Sequence, residues 1–313
     1  MKSKKSWLLW ATIGLLAGGG LAWLRTPATV STPTTSAPTT APAENIEPSL
    51  TQRCRDAAAT LEPQLDPTFS VLVDPPFVVA GNMRTTDLAA HMEHSVLRPA
   101  AAMWQAYFTH QPDQPITVLL LTDRGVRPGE DKNPGYAYRT WSQKLFGEQA
   151  ANSYGYYEPD RRTLIMNIDT GSGTLTHELT HALIVYDFPD PPDWFNEALA
   201  TLHEQCRVEE NGLVGLPNWR LPALQQAMAD GALRPLADLV TKNDFRTNQE
   251  GLNYAQARYF AMYLQHRNKL REFYSYYRGH RDNPVAAIEH VLGKSMDDVE
   301  KTFLAWVKTL RFE

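Results

Sequence analysis

The residues in this 313-residue sequence that are best suited to chemistry are His177, Glu178 and His181, which form the pattern His-Glu-x-x-His. On a helix, residues four apart share a face, so the two histidines can bind the same metal ion. Glu178 lies about 60° around the helix from His181, at roughly 100° per residue, which places its carboxylate beside the metal. Zinc binds neutral imidazoles and leaves a position open for water, and an adjacent carboxylate can take a proton from that water.

The segment around this pattern, 173–185, is predicted to be a largely buried helix. The polar trio is surrounded by apolar residues, namely Leu175, Leu179, Ala182, Leu183 and Val185. The alternative is a solvated helix face, but such a face would not alternate polar and apolar residues in this way. Two histidines and a glutamate on a buried helix need partners, and a metal ion supplies them.

A zinc site of this kind needs a third protein ligand, and two acidic residues follow in the chain. Asp187 lies six positions after His181, but a sharp turn toward the metal requires glycine where the chain has Ile184. Glu197 follows a break at the prolines 189, 191 and 192, after which Asp193 is a plausible N-cap of a second helix. A helix, a proline-rich turn and a returning helix favour Glu197 as the ligand, and Asp187 is then a solvated residue at the helix end.

The sequence His-Glu-Leu-Thr-His, followed by Trp-Phe-Asn-Glu-Ala-Leu-Ala at 194–200, resembles the gluzincin clan of zinc metallopeptidases. The closest resemblance is to bacterial envelope proteins with a compact thermolysin-like catalytic domain, and it covers about 155–265. It implies a zincin-like fold in which Glu197 is the third zinc ligand. Members of the clan carry an aspartate four positions after that glutamate to orient a zinc histidine, whereas this chain has Thr201. The resemblance therefore names no partner for that histidine.

Two further features of the site follow from the resemblance. Relatives have a Tyr-x-Gln-x-x-x-Phe helix behind the zinc, and Tyr254 matches its tyrosine. A phenol there can donate a hydrogen bond to the oxyanion that forms during peptide hydrolysis, although Tyr254 can equally serve only in packing. In relatives, an edge strand just before the zinc helix pairs with extended substrate, and the hairpin at 155–168 matches it.

These residues predict zinc-dependent hydrolysis of peptide bonds, with Glu178 activating a zinc-bound water as general base. Aminopeptidases of the clan hold the substrate's N-terminus with an acidic loop. The nearest segment here, 81–84, has Arg84 instead of the acid, which favours an endopeptidase. The alternative function is a membrane-tethered binding or scaffold domain with a retained structural zinc. The partners expected are a peptide or protein substrate and the membrane, and the sequence does not determine the oligomeric state.

The N-terminal region predicts export. Lys2, Lys4 and Lys5 precede an uncharged run at 7–24 that as a helix would span about 27 Å, enough for a bilayer core. Residues 1–25 are therefore predicted to be a signal anchor with a cytoplasmic N-terminus, or else a cleaved signal peptide. Residues 26–48, rich in Thr, Pro and Ala, are predicted to be a linker. The peptidase domain, 49–313, then lies on the extracytoplasmic side, either anchored or secreted.

The pattern of elements predicts an α+β fold, with a small sheet followed by a mainly helical half and zinc at their junction. Strands are expected at 69–73, 76–80, 116–121, 155–157 and 163–168, and helices at 86–109, 173–185, 194 onward, 221–231, 253–266 and most of the remainder. The net charge of −5 gives no reason to expect nucleic acid binding. An exported location permits a disulfide between Cys54 and Cys206, whereas two buried thiols are the alternative.

Overall fold

The computed structural model describes residues 47–124, 135–147, 154–210 and 212–312. Within them, five short strands form one sheet, and a sixth and seventh form a separate hairpin. The strands are β1 (Ser70–Asp74), β2 (Phe77–Gly81), β3 (Ile116–Leu121), β4 (Gly155–Glu158), β5 (Thr163–Asn167), β6 (Cys206–Glu209) and β7 (Gly212–Gly215). The predicted anchor and all but the last residues of the predicted linker lie outside the described residues. Glu47–Glu313 forms one compact unit.

The order of strands in the main sheet is β1-β2-β3-β5-β4. The three inner strands run parallel, whereas β1 and β4 pair antiparallel with their neighbours and form the two edges. The hairpin that places β4 at the edge is the one predicted from the sequence. The strand that immediately precedes the helix with His-Glu-x-x-His, β5, therefore separates β4 from the centre of the sheet.

The inner strands are apolar throughout because both faces of the sheet are covered. On one face, residues such as Val79, Leu120 and Met166 belong to the main hydrophobic core. On the other face, residues such as Leu119 and Ile165 belong to a smaller cluster. Alternation of side chains along a strand produces this division, and it explains why β3 is a continuous apolar run.

Twelve α-helices account for most of the remaining described residues, so the structure is α+β with a mostly helical half, as predicted. They are α1 (Leu50–Leu61), α2 (Thr85–His91), α3 (Arg98–Ala106), α4 (Tyr136–Phe146), α5 (Gly173–Asp187), α6 (Asp193–Glu204), α7 (Leu221–Ala229), α8 (Leu236–Thr241), α9 (Glu250–His266), α10 (Leu270–Gly279), α11 (Pro284–Leu292) and α12 (Met296–Val307). A π-helical turn, Met92–Leu97, joins α2 to α3. It ends two residues before Pro99, which has no N–H to donate to the residue four before it.

The helices α5 and α6 form an antiparallel pair that packs between the sheet and α9. The connection between them contains Pro189, Pro191 and Pro192, and α6 begins at Asp193 without a side-chain cap. Gly173 allows the start of α5 to approach the end of α6, because a Cβ there would lie 2.3 Å from the backbone oxygen of Glu204. The close pair brings the two polar segments of the sequence motif into contact.

Several predictions about the elements were incomplete. The sequence patterns did not indicate α1, α4 or α8, and the segment that forms β7 was interpreted as part of a turn. Asp193 does not act as an N-cap and is instead the first residue of α6. Among the described residues, no helix has both the length and the apolar character that crossing a membrane requires.

The predicted disulfide is wrong in this structure, because Cys54 and Cys206 are both free thiols. Cys54 lies on α1 in a small cluster with Ala58 and Val78, on one face of the sheet. Cys206 begins β6 and packs against the main core on the other side. The two residues therefore lie in different layers of the fold. Burial raises the pKa of the Cys206 thiol to about 11, so it is a poor nucleophile at neutral pH.

Candidate metal centre

His177, His181 and Glu197 come together as one cluster with their ligand atoms within 4.8 Å of each other. The Nε2 atoms of the two histidines are 3.0 Å apart. Glu197 Oε2 lies 3.4 Å from His177 Nε2, and Glu197 Oε1 lies 3.6 Å from His181 Nε2. In the part of the chain that the structure describes, it is the one group of three or more such residues that could hold a metal ion.

The dimensions of the cluster fit a tetrahedral ion. Ligand atoms held about 2.0–2.1 Å from zinc in a tetrahedron lie about 3.3 Å from one another. The three distances in the cluster fall on either side of that value. In addition, Glu197 Oε2 is buried without a hydrogen-bond partner among the described residues and faces His177. A buried carboxylate oxygen needs a partner, and a metal ion between it and the imidazoles is one.

Local sequence explains why these three side chains converge. His177 and His181 are one turn apart on α5, while Glu197 lies just over one turn into α6, which faces α5. Glu197 is 2% exposed, and both histidines are partly exposed toward the solvent side of the site. The ligand set is therefore anchored on two packed helices, with access to solvent on the histidine side.

Two residues that the sequence analysis did not identify lie beside the Nδ1 atoms of the histidines. Asn196 Oδ1 lies 2.9 Å from His181 Nδ1, within hydrogen-bond distance. Glu204 Oε1 lies 3.5 Å from His177 Nδ1, and Arg220 binds both oxygens of Glu204. A hydrogen bond such as that of Asn196 fixes the tautomer and direction of a metal-binding imidazole. His177 Nδ1 has no hydrogen bond among the described residues, and Glu204 is its nearby ion-pair partner. The sequence did contain a signal for Glu204, since it follows Glu197 by seven positions and so lies on the same helix face.

In this cluster, burial and the contacts between charged groups shift the pKa values in opposite directions. Burial lowers the pKa of His177, but contacts with the carboxylates of Glu197 and Glu204 outweigh burial and raise that pKa to about 10. Burial raises the pKa of Glu197, but contacts with both imidazoles hold it well below the usual range of glutamate. Likewise, His177 and Arg220 lower the pKa of Glu204 to about 2 against the effect of burial. A site that holds a proton this firmly between an imidazole and two carboxylates also attracts a divalent cation, which must displace that proton.

Glu178 lies beside the cluster without belonging to it. Its Oε2 accepts a hydrogen bond of 3.0 Å from the backbone N–H of Tyr157 on β4. Burial raises the pKa of Glu178 above the usual range of glutamate, while the nearby imidazoles act in the opposite direction. This carboxylate is thus held on the sheet side of the cluster and has a greater proton affinity than an exposed glutamate.

Tyr254 is connected to the cluster through Arg246. One guanidinium nitrogen of Arg246 donates to Glu197 Oε1 at 2.6 Å, and the other donates to the Tyr254 hydroxyl at 2.9 Å. Tyr254 is half-buried on α9, with its ring 5.3 Å from that of Phe245. No pattern in the sequence indicated Arg246, because it lies between α8 and α9 and is 49 positions from Glu197.

Asp187 is not part of the cluster. The expectation that it is a solvated residue is wrong, since it is 4% exposed at the end of α5. Its Oδ1 accepts hydrogen bonds from Thr109 and His110, and its Oδ2 accepts from Tyr274 and Arg278. With both oxygens already satisfied, Asp187 is a structural acid that ties the end of α5 to α10 and to the segment after α3.

The chain matches no protein-family model, and no curated protein matches it. The residues of the cluster and their surroundings therefore carry the interpretation of the site.

Proposed function

We propose that this protein is a zinc-dependent peptidase whose zinc is held by His177, His181 and Glu197. The observation that carries the proposal is the partly buried carboxylate of Glu178, which lies next to a trio that could hold a metal but is not one of its members. Two histidines and a glutamate are a ligand set of catalytic zinc, with a fourth position left for water or substrate. A structural zinc site would instead require a fourth protein ligand, and the described cluster contains three.

When bound, zinc would supply a Lewis acid that acidifies water and polarises the carbonyl of the scissile bond. The protein itself provides the movement of the proton. Glu178 accepts the proton of the attacking water and then delivers it to the nitrogen of the departing amine. Its raised pKa suits both steps, because a carboxylate with greater proton affinity is a better base at neutral pH. The hydrogen bond from the Tyr157 N–H fixes the carboxylate beside the ligands.

The edge strand β4 supports a peptide as the substrate. The backbone N–H of Asn167 donates to the oxygen of Tyr154, so in the alternating antiparallel ladder the backbone groups of Gly155 and Tyr157 point away from β5. They point toward the free edge of the sheet, where the Tyr157 N–H reaches Glu178. An extended peptide that adds to this edge would run past the general base.

An endopeptidase is the form of this activity that the chain supports best. The segment 81–84, which lacks the acid of the aminopeptidase loop, begins at the last residue of β2. In the sheet, β3 and β5 lie between β2 and β4. This segment therefore does not close the end of the β4 edge. We also propose that the enzyme acts outside the cytoplasmic membrane, which rests on the sequence of residues 1–25 alone.

The test is to replace Glu178 by glutamine, which keeps the shape of the side chain and removes the base. We expect about one zinc per chain in both proteins, because Glu178 is not a ligand. Cleavage of a generic peptide mixture, followed by mass spectrometry, should fall by about 100- to 10,000-fold. Glu209→Gln, which changes an exposed acid at the end of β6, is the matched control and should leave both zinc content and cleavage unchanged.

Two outcomes would contradict the proposal. If zinc-loaded wild-type protein cleaves no peptide, while a chelator still destabilises it, the metal is structural and the scaffold alternative is favoured. If Glu178→Gln loses zinc by elemental analysis, Glu178 is a ligand rather than the base.

A further inference from the structure

The planar guanidinium of Arg246 makes polar contacts with three different side chains. Its Nη2 donates to Glu197 Oε1 at 2.6 Å, its Nη1 donates to the Tyr254 hydroxyl at 2.9 Å, and its Nε lies 3.3 Å from Asp193 Oδ1. Asp193 and Glu197 are one turn apart on α6, whereas Tyr254 is on α9. Because the guanidinium is rigid, it sets the distance between the Tyr254 hydroxyl and the ligand carboxylate of Glu197.

The segment that carries Arg246 is held in place by residues of α9. Asn253, which is buried, donates from Nδ2 to the backbone oxygens of Phe245 and Asn248 at 2.7 and 2.6 Å. The Phe245 side chain is also buried and packs against the ring of Tyr254. The backbone on both sides of Arg246 is thereby fixed, while its side chain is 45% exposed on the open side of the site.

The direction of the hydrogen bond determines what Tyr254 can do. A guanidinium can only donate, so the phenol oxygen accepts from Arg246 and its own proton remains to be donated elsewhere. Among the residues that the structure describes, the hydroxyl of Tyr254 has one hydrogen bond, which it accepts from Arg246, and it donates none. A cation that donates to a phenol oxygen also polarises the O–H bond and makes it a stronger donor.

We propose that Arg246 is a positioning residue for Tyr254, holding its hydroxyl so that it donates to the carbonyl oxygen of the scissile peptide bond as negative charge develops there. This inference rests on the proposed peptidase function. In this arrangement Tyr254 is the catalytic donor, and Arg246 acts through it. The same guanidinium fixes Glu197, so the donor and the metal ligand stay in a constant relation to each other.

The experiment is a double-mutant cycle on zinc-loaded protein, with kcat and KM measured for Tyr254→Phe, Arg246→Met and the double variant. Removing one preorganised donor lowers kcat by about 100- to 1000-fold, so we expect each single variant to show a loss in that range with little change in KM. If Arg246 acts through Tyr254, adding Arg246→Met to Tyr254→Phe should lower kcat by less than about 3-fold more. Arg246→Lys, which keeps the charge but not the planar fork, should recover part of the loss.

The control is Lys242→Met, which removes a cation of the same segment that pairs with the exposed Asp238. It should change kcat by less than about 2-fold, as expected for an exposed pair. Losses that multiply in the double variant would overturn the proposal, as would a loss of zinc in Arg246→Lys that accounts for its lower kcat.

A spectroscopic measurement separates failure of this proposal from failure of the peptidase function. Protein labelled with 3-fluorotyrosine gives a 19F resonance for Tyr254 that can be assigned by its disappearance in Tyr254→Phe. Arg246→Lys should shift this resonance, with or without zinc, and Lys242→Met should not. If wild-type protein binds zinc but cleaves no peptide, the peptidase proposal is wrong. The 19F resonance still tests whether Arg246 contacts Tyr254. If the resonance stays in place in Arg246→Lys, the positioning role is wrong whatever the activity.

Discussion

Two buried carboxylates lie on either side of the proline-rich connection between α5 and α6. Glu197 and Asp187 are 2% and 4% exposed, so burial does not distinguish them. Nor does the pKa, because contacts with the two imidazoles hold the pKa of Glu197 well below its usual range, and hydrogen bonds do the same for Asp187, in both cases against the effect of burial. The difference lies in their oxygens. Both oxygens of Asp187 accept hydrogen bonds, whereas Glu197 Oε2 faces an imidazole and has no hydrogen-bond partner in the part of the chain that the structure describes.

This difference shows what makes a buried acid a ligand in this molecule. A carboxylate whose lone pairs are all occupied by protein donors stabilises the fold and cannot also bind a cation without losing those bonds. A carboxylate that lies against two imidazoles and has one oxygen without a hydrogen bond is completed by a cation. The partners of each oxygen, more than its burial or its position in the sequence, therefore separate the structural acid from the candidate ligand.

The largest expected effect is on zinc affinity. Glu197→Ala removes one of three ligands, so affinity should fall by about 1000-fold or more, well beyond the 10- to 100-fold loss typical of a partner behind a ligand. Asp187→Ala should change the affinity by less than about 3-fold in whatever fraction of the protein stays folded, because the residue is outside the cluster. Competition with a chelating dye measures both, and loss of zinc in Asp187→Ala alone would reverse the assignment.

The next effect is on stability. Asp187→Asn removes the charge that pairs with Arg278 and places an amide N–H₂ against donors of Thr109, so we expect the free energy of unfolding to fall by about 3 kcal/mol. Urea unfolding of metal-free protein measures it. Under the same conditions, the loss of unfolding free energy in Glu197→Gln should be smaller than that in Asp187→Asn by at least about 1 kcal/mol. The reason is that Arg246 keeps Asp193 and solvent as partners. Equal losses would mean that both acids are structural.

A smaller effect is expected behind the ligands. Glu204→Gln keeps the hydrogen-bonding shape of the side chain but removes the charge beside His177 Nδ1, so zinc affinity should fall by about 10- to 100-fold. Glu209→Gln, an exposed acid on the adjacent hairpin, serves as the control in the same dye competition. If zinc affinity in Glu204→Gln equals that of wild type, Glu204 serves only Arg220.

The smallest effect is on the pH dependence of folding. The folded pKa of Asp187 is depressed, so the unfolded chain takes up a proton at this residue, near its ordinary pKa of about 3.9, while the folded protein does not. The stabilisation is present above that pH and is lost as the pH falls, at no more than about 1.4 kcal/mol per pH unit. The stability gap between wild type and Asp187→Asn should therefore narrow from pH 5 to pH 3.5 in urea titrations. A constant gap would show that the contribution of Asp187 does not depend on its charge.

Much of the fold could be predicted where burial imposes a clear pattern. The strand Ile116–Leu121 was predicted with the bounds that it has, because it is covered on both faces and so is apolar at every position. The helix α4 could not be predicted, because its tyrosine, tryptophan and polar residues give no helical period in the apolar positions. The cysteine pairing failed for another reason, since spacing in the chain does not reveal that a sheet separates the two residues.

The site was predictable to the extent that it is local. The histidine spacing and the proline break were enough to select the three residues that form the cluster. Glu204 could have been found from its seven-residue spacing to Glu197. Arg246 could not, because it reaches the site from a segment between two other helices, and only the packing of α6 against α9 brings it there.

The hydrogen bonds around the two carboxylates also differ in how much of the chain they enclose, which bears on the order of folding. The bond between His181 and Asn196 closes a segment of 15 positions, whereas the bond from Tyr274 to Asp187 closes one of 87. The entropy cost of closing the longer loop is greater by about 1.6 kcal/mol. The two ligand helices can therefore pair while most of the chain is still disordered, whereas the contacts of Asp187 with Tyr274 and Arg278 form only once α10 arrives. Zinc present during synthesis would then act on an early folding intermediate as well as on the finished protein.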